Sequence, residues 1–135
     1  MKKKGIFNHP LAEIIASMGH KDRLTVTDLG FPIPKDAKKV DLAVKENLPD
    51  IKTVLDVILS EMQVEKVLLA EEIKTESPEL HEYYLELFKG AEIEYIPLWW
   101  EMYEETEKAK GVVRTGDVTP YANLVLISGV DGIFY

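Results

Sequence analysis

Short apolar runs alternate along this chain with stretches in which apolar residues recur every three or four positions. The runs are rich in Val, Ile and Leu, as buried parallel strands are. They predict five strands, over residues 23–28, 66–70, 92–96, 111–114 and 124–128. Strands that alternate with helices form α/β folds, so we expect a single domain over residues 1–135 with a mostly parallel central sheet and helices on both faces, in three layers.

The helices are predicted from the apolar spacing and from the residues that begin and end it. One apolar stripe predicts a helix that ends before Gly19, and a second stripe predicts a helix within residues 51–62. Ser77 followed by Pro78 is typical of an N-cap and a first helical position, and Gly90 is typical of the residue just past a helix. Helices and strands therefore cover most of the chain without a linker.

Two polar residues stand at loop positions beside the first predicted strand. His20 follows the first helix, and histidine is the side chain whose ordinary pKa lies nearest neutrality. Asp28 ends the strand, at the edge of an α/β sheet where ligands bind. Each residue alone is more often structural, since His caps helices and Asp fixes turns. The combination with Gly30, Pro32 and Pro34 favours a stiff functional loop.

A second polar segment, Thr119-Pro120-Tyr121-Ala122-Asn123, precedes the last predicted strand. The polar ends of Tyr121 and Asn123 can bond hydroxyl groups of a ligand, and the Ala122 backbone can contribute. On the residues alone, the structural alternative is preferred, in which Tyr121 packs under the loop and Asn123 fixes a turn.

Composition and charge narrow the classes of partner. The net charge of −8 argues against a nucleic-acid surface. No apolar run approaches the length of a membrane span. The three histidines are scattered and there is no cysteine, so no metal site is expected. No glycine-rich phosphate loop indicates a nucleotide cofactor. The absence of cysteine and of a signal-peptide pattern after Met1 predicts a cytoplasmic protein.

Six short strings, in order over nearly the whole chain, are similar to those of one known family. The strings are Gly19-His20-Lys21-Asp22 with Asp28-Leu29-Gly30-Phe31-Pro32-Ile33-Pro34, then Val40-Asp41-Leu42, Glu61-Met62-Gln63-Val64-Glu65, Ala70-Glu71-Glu72-Ile73-Lys74, Val113-Arg114-Thr115-Gly116-Asp117, and Thr119-Pro120-Tyr121-Ala122-Asn123. They resemble the D-ribose pyranase and L-fucose mutarotase family, and the ribose branch more than the fucose branch.

The resemblance implies a cofactor-free isomerase that interconverts cyclic forms of a monosaccharide, in the first place the pyranose and furanose forms of D-ribose. It implies that His20 donates a proton to the ring oxygen, and that Asp28 binds a hydroxyl and orients the imidazole. Tyr121, Ala122 and Asn123 would hold the sugar. It also implies a ring-shaped homo-oligomer, a pentamer or decamer, with sites between subunits; the apolar run 124–135 would need a surface to cover it.

The chain departs from the ribose branch at Trp99 and Tyr103, where that branch is similar in carrying a His and a Lys. The fucose branch resembles this chain in having a tyrosine at the second position. Trp99 is therefore expected either to stack on a sugar ring or to pack in the core, as is expected of Trp100. The alternatives are a mutarotase for L-fucose or another sugar, and a non-catalytic sugar-binding or transport-accessory protein.

Overall fold

The computed structural model of the protein describes residues 1–131, so the end of the predicted apolar run, residues 132–135, lies outside the described residues. The helices are α1 His9–Ala16, α2 Ile51–Leu59, α3 Ile73–Glu76, α4 Pro78–Leu87 and α5 Tyr103–Glu107. The strands are β1 Arg23–Thr27, β2 Lys39–Asp41, β3 Val64–Ala70, β4 Glu92–Ile96, β5 Gly111–Arg114 and β6 Leu124–Ser128. An irregular stretch after β4, Leu98–Met102, is called the tryptophan segment.

The strands form one sheet in the order β2-β5-β1-β6-β3-β4. Parallel pairs join β2 to β5, β5 to β1 and β3 to β4, whereas β6 is antiparallel to both of its neighbours. Five strands therefore point the same way, which confirms the predicted mostly parallel sheet. The unpredicted strand β2 has three residues, of which Val40 alone is apolar and buried.

Helices cover both faces of the sheet, as predicted. Helices α1, α2 and α4 pack on one face, where Leu24 and Val26 of β1 join their core. The opposite face is covered by α5 and the tryptophan segment, and Thr25 of β1 reaches Thr106 of α5 with 3.1 Å between their Oγ1 atoms. Fully buried side chains such as Ile51 and Leu55 of α2 each contribute roughly 1.5–3 kcal/mol.

The strand directions give the sheet two edges that differ in chemistry. The carboxyl edge is where the five like-directed strands end and β6 begins; the amino edge is where those five begin and β6 ends. The carboxyl edge carries Thr27, Asp41, Ala70, Ile96, Arg114 and Leu124, and the amino edge carries Arg23, Lys39, Val64, Glu92, Gly111 and Ser128. Loops at these edges hold the predicted site residues.

Helix ends tie several loops in place. Asn8 caps α1 through Leu11 N–H, and Asp50 caps α2 through Thr53 N–H. Ser77 is at the start of α4 as predicted, but its side chain does not cap the helix. Its hydroxyl donates instead to the Pro120 carbonyl at 2.6 Å, because the loop before β6 passes over this helix end. Within residues 1–131, no helix is long and apolar enough to cross a membrane.

Candidate functional site

Asp28 and Asn123 form a hydrogen-bonded pair at the carboxyl edge. The Asp28 backbone N–H donates to Asn123 Oδ1 at 2.7 Å, and Asn123 Nδ2 donates back to Asp28 Oδ2 at 3.3 Å. Asn123 is buried because it enters the sheet just before β6, which pairs with β1. Two residues 95 positions apart in the chain are thus fixed against each other.

The other Asp28 oxygen organises the loop that follows β1. Asp28 Oδ1 accepts from the backbone N–H of Gly30 at 3.1 Å and of Phe31 at 2.9 Å. This is the turn-fixing arrangement expected as the structural alternative, and it coexists with the pairing to Asn123. Burial raises the pKa of the Asp28 carboxyl, and the hydrogen bonds from Gly30, Phe31 and Asn123 oppose that shift.

Tyr121 and Ala122 lie beside this pair in an unusual backbone path. Tyr121 has φ of 59°, in the left-handed region that side chains other than glycine seldom adopt, and its ring is partly buried against both cores. The Ala122 carbonyl accepts from the hydroxyl of buried Tyr84 at 2.7 Å. Burial also raises the pKa of Tyr84 well above its ordinary value, so the phenol stays a donor. The Ala122 carbonyl is thereby held by the core.

Asp117 is a buried acidic residue that anchors the site loop and that was not predicted. Its Oδ2 accepts from Ile51 N–H at the start of α2 at 2.9 Å, and its Oδ1 accepts from Thr119 N–H at 2.8 Å. Its backbone carbonyl accepts from Leu29 N–H at 2.8 Å. The signal that could have found it is a lone acid in a segment of turn residues between two buried strands.

The tryptophan segment presents two exposed indoles at the carboxyl edge. Trp99 is 61% exposed and Trp100 is 77% exposed, so the prediction that Trp100 packs in the core is wrong. Trp100 has a φ of 70°, in the left-handed region, so the backbone is irregular at this residue. Leu98 and Met102, on either side of the two tryptophans, take the buried positions. With Tyr103 the indoles line an apolar depression of about 340 Å³. The core alternative for Trp99 is excluded as well.

His20 lies at the opposite edge of the sheet. It sits in an exposed turn before β1, and its Nε2 lies 3.1 Å from Oε2 of Glu65, a residue of β3. The Lys21 ammonium pairs with the other oxygen of the same carboxylate. These two contacts lower the pKa of Glu65, the one with Lys21 more strongly. The sequence prediction did not include Glu65, because the predicted strand began at residue 66.

A single chain does not bring His20 to the other predicted site residues. His20 precedes β1 and Asp28 follows it, so the strand alone separates them by about 16 Å at roughly 3.3 Å per residue. The expectation that Asp28 orients the His20 imidazole is therefore wrong within one chain, where Glu65 makes that contact. Tyr121, Ala122, Asn123, Trp99 and Tyr103 all stand with Asp28 at or beyond the carboxyl edge.

The remaining histidines take structural places. His9 is the first residue of α1. His81 is half-buried on α4, where its Nε2 lies 2.6 Å from Tyr95 Oη. Across the part of the chain that the structure describes, no group of three or more His, Asp or Glu residues is arranged to hold a metal ion.

Comparison with known proteins identifies relatives over nearly the full length. D-ribose pyranase 2 of Rubrobacter xylanophilus is 47% identical over 131 residues, which cover 97% of this chain and 85% of that protein. The structure of Bacillus subtilis RbsD complexed with D-ribose matches with a TM-score of 0.92 at 44% identity, over 96% of this chain and 98% of the other.

A more distant match supports the fold alone. The crystal structure of the fucose mutarotase from Streptococcus pneumoniae in complex with L-fucose has a TM-score of 0.81 at 24% identity, over 96% and 99% of the two chains. The RbsD / FucU transport protein family matches residues 1–131 of this chain. The chain therefore belongs to the RbsD / FucU transport protein family.

Proposed function

We propose that this protein is a cofactor-free isomerase that interconverts the pyranose and furanose forms of D-ribose. The observation that carries the proposal is the preorganised Asp28–Asn123 pair, at the sheet edge suited to ligands, in a chain 47% identical to a protein named D-ribose pyranase. The structure of a relative with D-ribose, at 44% identity, supports the same sugar.

The reaction requires one proton to enter and one to leave in each direction. Protonation of the ring oxygen lets the bond from that oxygen to the anomeric carbon break, while the anomeric hydroxyl loses its proton and becomes the carbonyl of the open chain. A different hydroxyl then adds to the carbonyl carbon and loses its proton while the carbonyl oxygen gains one, which closes the other ring. General acid–base help of this kind contributes about 10²–10⁴-fold, which suits a reaction that also proceeds unaided.

His20 is the proton donor in this proposal, and the carboxyl edge binds the sugar. The Asp28 carboxylate accepts a hydroxyl hydrogen bond, Asn123 and the Ala122 backbone bind further hydroxyls, and Tyr121 contacts the ring. Asp28 already accepts three hydrogen bonds, so its position does not depend on the ligand. A preformed acceptor loses little entropy when the sugar binds.

The working unit is a ring-shaped homo-oligomer, a pentamer or decamer, whose sites lie between subunits. Support comes from the separation of His20 and Asp28 at opposite edges of one sheet, which a second subunit can overcome. The apolar run 124–135 supports it less than expected, because residues 124–127 are buried within the chain's own sheet. One domain over residues 1–135 and a cytoplasmic location stay predictions.

Trp99 and Tyr103 form an aromatic wall of the site in this proposal. Trp99 is exposed and Tyr103 half-buried, and both line an apolar depression, which supports stacking against the apolar face of a sugar ring. Tyr103 also favours a second candidate function, mutarotation of L-fucose or a related sugar, because the fucose branch is similar at that position. A non-catalytic sugar-binding role is the third outcome that the following experiment separates.

Magnetisation-exchange NMR on D-ribose, L-fucose and other monosaccharides tests the proposal. We expect the protein to accelerate exchange between ribose ring forms, and His20→Ala to abolish the acceleration at unchanged melting temperature. His9→Ala, at the exposed start of α1, is the matched control and should exchange like the unmodified protein. Shifts without exchange indicate binding alone, and exchange of anomers of L-fucose but not of ribose indicates the mutarotase. Full activity of His20→Ala removes the assigned donor.

A further inference from the structure

The His20 turn and Glu65 are held together at the amino edge by backbone contacts rather than by a chance meeting of surface side chains. Lys21 N–H donates to the Ser128 carbonyl at 2.9 Å, and Ser128 N–H donates to the Asp22 carbonyl at 2.9 Å. These two bonds fix the turn that carries His20 to the end of β6. Strand β3, which carries Glu65, pairs with the same strand β6.

Glu65 lies where the pairing between β3 and β6 is irregular. Val64 pairs with Ser128 but Lys66 pairs with Ile127, so the register shifts at Glu65. Such bulges redirect a side chain away from its regular direction. Gly129 makes room for this arrangement, because a Cβ there would stand 2.9 Å from the Glu65 Cβ. The backbone is therefore shaped around the position of this carboxylate.

We propose that Glu65 is the positioning residue of His20: its carboxylate accepts the Nε2–H of the imidazole and leaves Nδ1 as the nitrogen that exchanges a proton with the sugar. The inference rests on the proposed function of His20 as proton donor. Within one chain, Glu65 makes the contact with the His20 imidazole that the family resemblance implies for Asp28.

The chemistry of the pair decides which nitrogen is free. An ionised carboxylate only accepts hydrogen bonds, so a bond 3.1 Å long to Nε2 requires the proton on Nε2. Nδ1 is then an acceptor in the neutral ring and a donor in the imidazolium ion. Hydrogen bonds from Lys21 and His20 keep the pKa of Glu65 low, so the carboxylate is ionised around neutral pH. The carboxylate therefore orients the ring.

Other charged groups around the turn are engaged elsewhere. Arg23 of β1 pairs with Glu105 of α5 at 2.6 Å, and Asp22 pairs with Lys110 at 3.1 Å. Lys66 of β3 and Glu92 of β4 approach within 3.9 Å of each other. Both line a surface depression at the amino edge that Lys21 and Glu65 also line. Lys21 is the one further group bonded to Glu65 among the described residues, and it supplies the control variant.

Nitrogen-15 NMR of the imidazoles in the sugar-free protein tests the positioning directly, with His20→Ala used for assignment. We expect a protonated Nε2, an unprotonated Nδ1 and an observable Nε2–H proton for His20. In Glu65→Ala that proton should exchange with water and disappear, and the two nitrogen shifts should move toward an average of the tautomers. Lys21→Met, which leaves the contact between Glu65 and His20 in place, should keep the original pattern. Identical spectra for Glu65→Ala and the unmodified protein overturn the inference.

Exchange kinetics give the second readout. Because the sugar is bound at the carboxyl edge, Glu65→Ala should lower the exchange rate at saturating sugar about 10- to 100-fold, part of the gain that acid–base catalysis supplies. The sugar Kd should change less than about twofold, and Glu65→Gln, which retains an acceptor oxygen, should lose less than Glu65→Ala. A rate unchanged in Glu65→Ala, with His20→Ala inactive, overturns the role of Glu65 alone. Full activity of His20→Ala overturns the proposed donor and this inference with it.

Discussion

The two edges of the sheet hold their polar groups by different means. At the carboxyl edge, Asp28 and Asn123 are withdrawn from solvent, and each of their bonds joins a side chain to the backbone or to the other side chain. At the amino edge, His20 and Glu65 form a contact between two partly exposed side chains, 3.1 Å from Nε2 to Oε2. The difference fits the two tasks that we propose for the edges, since recognition benefits from fixed geometry and proton transfer benefits from access to water.

Burial also separates the two acidic groups in their response to pH. Desolvation raises the pKa of Asp28, whereas hydrogen bonds from Lys21 and His20 lower the pKa of Glu65. As pH falls, Asp28 therefore takes up its proton earlier than an ordinary aspartate, whereas Glu65 keeps its charge to lower pH than an ordinary glutamate. Loss of the Asp28 charge is expected to weaken sugar binding at the carboxyl edge.

The largest effect is expected when the intact His20 and the intact Asp28 are supplied by different subunits. His20→Ala and Asp28→Asn should each lose most of the activity, up to about 10²–10⁴-fold. Mixed after dissociation and reassembly, the two variants should recover about a quarter of the activity, because one interface in four then combines an intact His20 with an intact Asp28 of the neighbour. The measurement is ribose exchange by NMR before and after reassembly.

Light scattering on the same samples provides the control, since recovery requires that both variants assemble normally. If the mixture stays as inactive as its components, His20 and Asp28 of neighbouring subunits do not form one shared site. An active monomer at assay concentration contradicts the shared site as well.

The next largest effect is expected in the dependence of sugar affinity on pH. Below the pKa of Asp28 the carboxyl must lose a proton to bind the sugar, so affinity should fall about tenfold per pH unit, and the fall should begin at higher pH than for an ordinary aspartate because burial raises this pKa. Asp28→Asn should bind weakly and without this dependence. If the unmodified protein and Asp28→Asn show the same dependence of affinity on pH, a group other than Asp28 causes it.

The fold was predictable where each element has a strong pattern of its own. All five predicted strands are present. In β3, β5 and β6 the aliphatic residues follow one another and are largely buried, whereas β1 and β4 alternate polar with apolar positions, which is the period of a strand. Strand β2 was missed, since a three-residue strand with the single apolar residue Val40 resembles a loop. The reversed direction of β6 was not predicted either, because an apolar run carries no information on strand direction.

The loops that carry the candidate site residues were predictable from the sequence, but their relative geometry was not. The loops of His20 and Asp28 were located correctly, yet the length of one strand keeps those side chains apart. The pair of His20 and Glu65 spans 45 positions and depends on a bulge, and neither feature leaves a local pattern. Trp100 was expected in the core because tryptophan is largely apolar, but its positive φ turns the side chain outward.

A smaller effect is expected from breaking the Asp28–Asn123 pair. Asn123→Ala leaves the buried Asp28 N–H without its acceptor, which should cost about 1–3 kcal/mol of unfolding free energy. Denaturant unfolding measures it. Asn123→Asp is the informative companion, because it keeps an acceptor for that N–H but sets a second carboxylate against Asp28. Its stability should fall further as pH rises, whereas that of Asn123→Ala should follow the unmodified protein.

The smallest effect is expected at the tryptophan segment. Trp99 is mostly exposed, so Trp99→Ala should change stability by no more than about 0.5 kcal/mol. If its indole stacks on the sugar, the loss of roughly 0.5–1.5 kcal/mol weakens the Kd about two- to tenfold, and ribose should alter the fluorescence of the unmodified protein. Trp100→Ala, at a more exposed position outside the predicted site, is the matched control for both readouts. Equal weakening by both substitutions assigns the effect to the shared depression, and no weakening by Trp99→Ala leaves Tyr103 as the aromatic wall at the carboxyl edge.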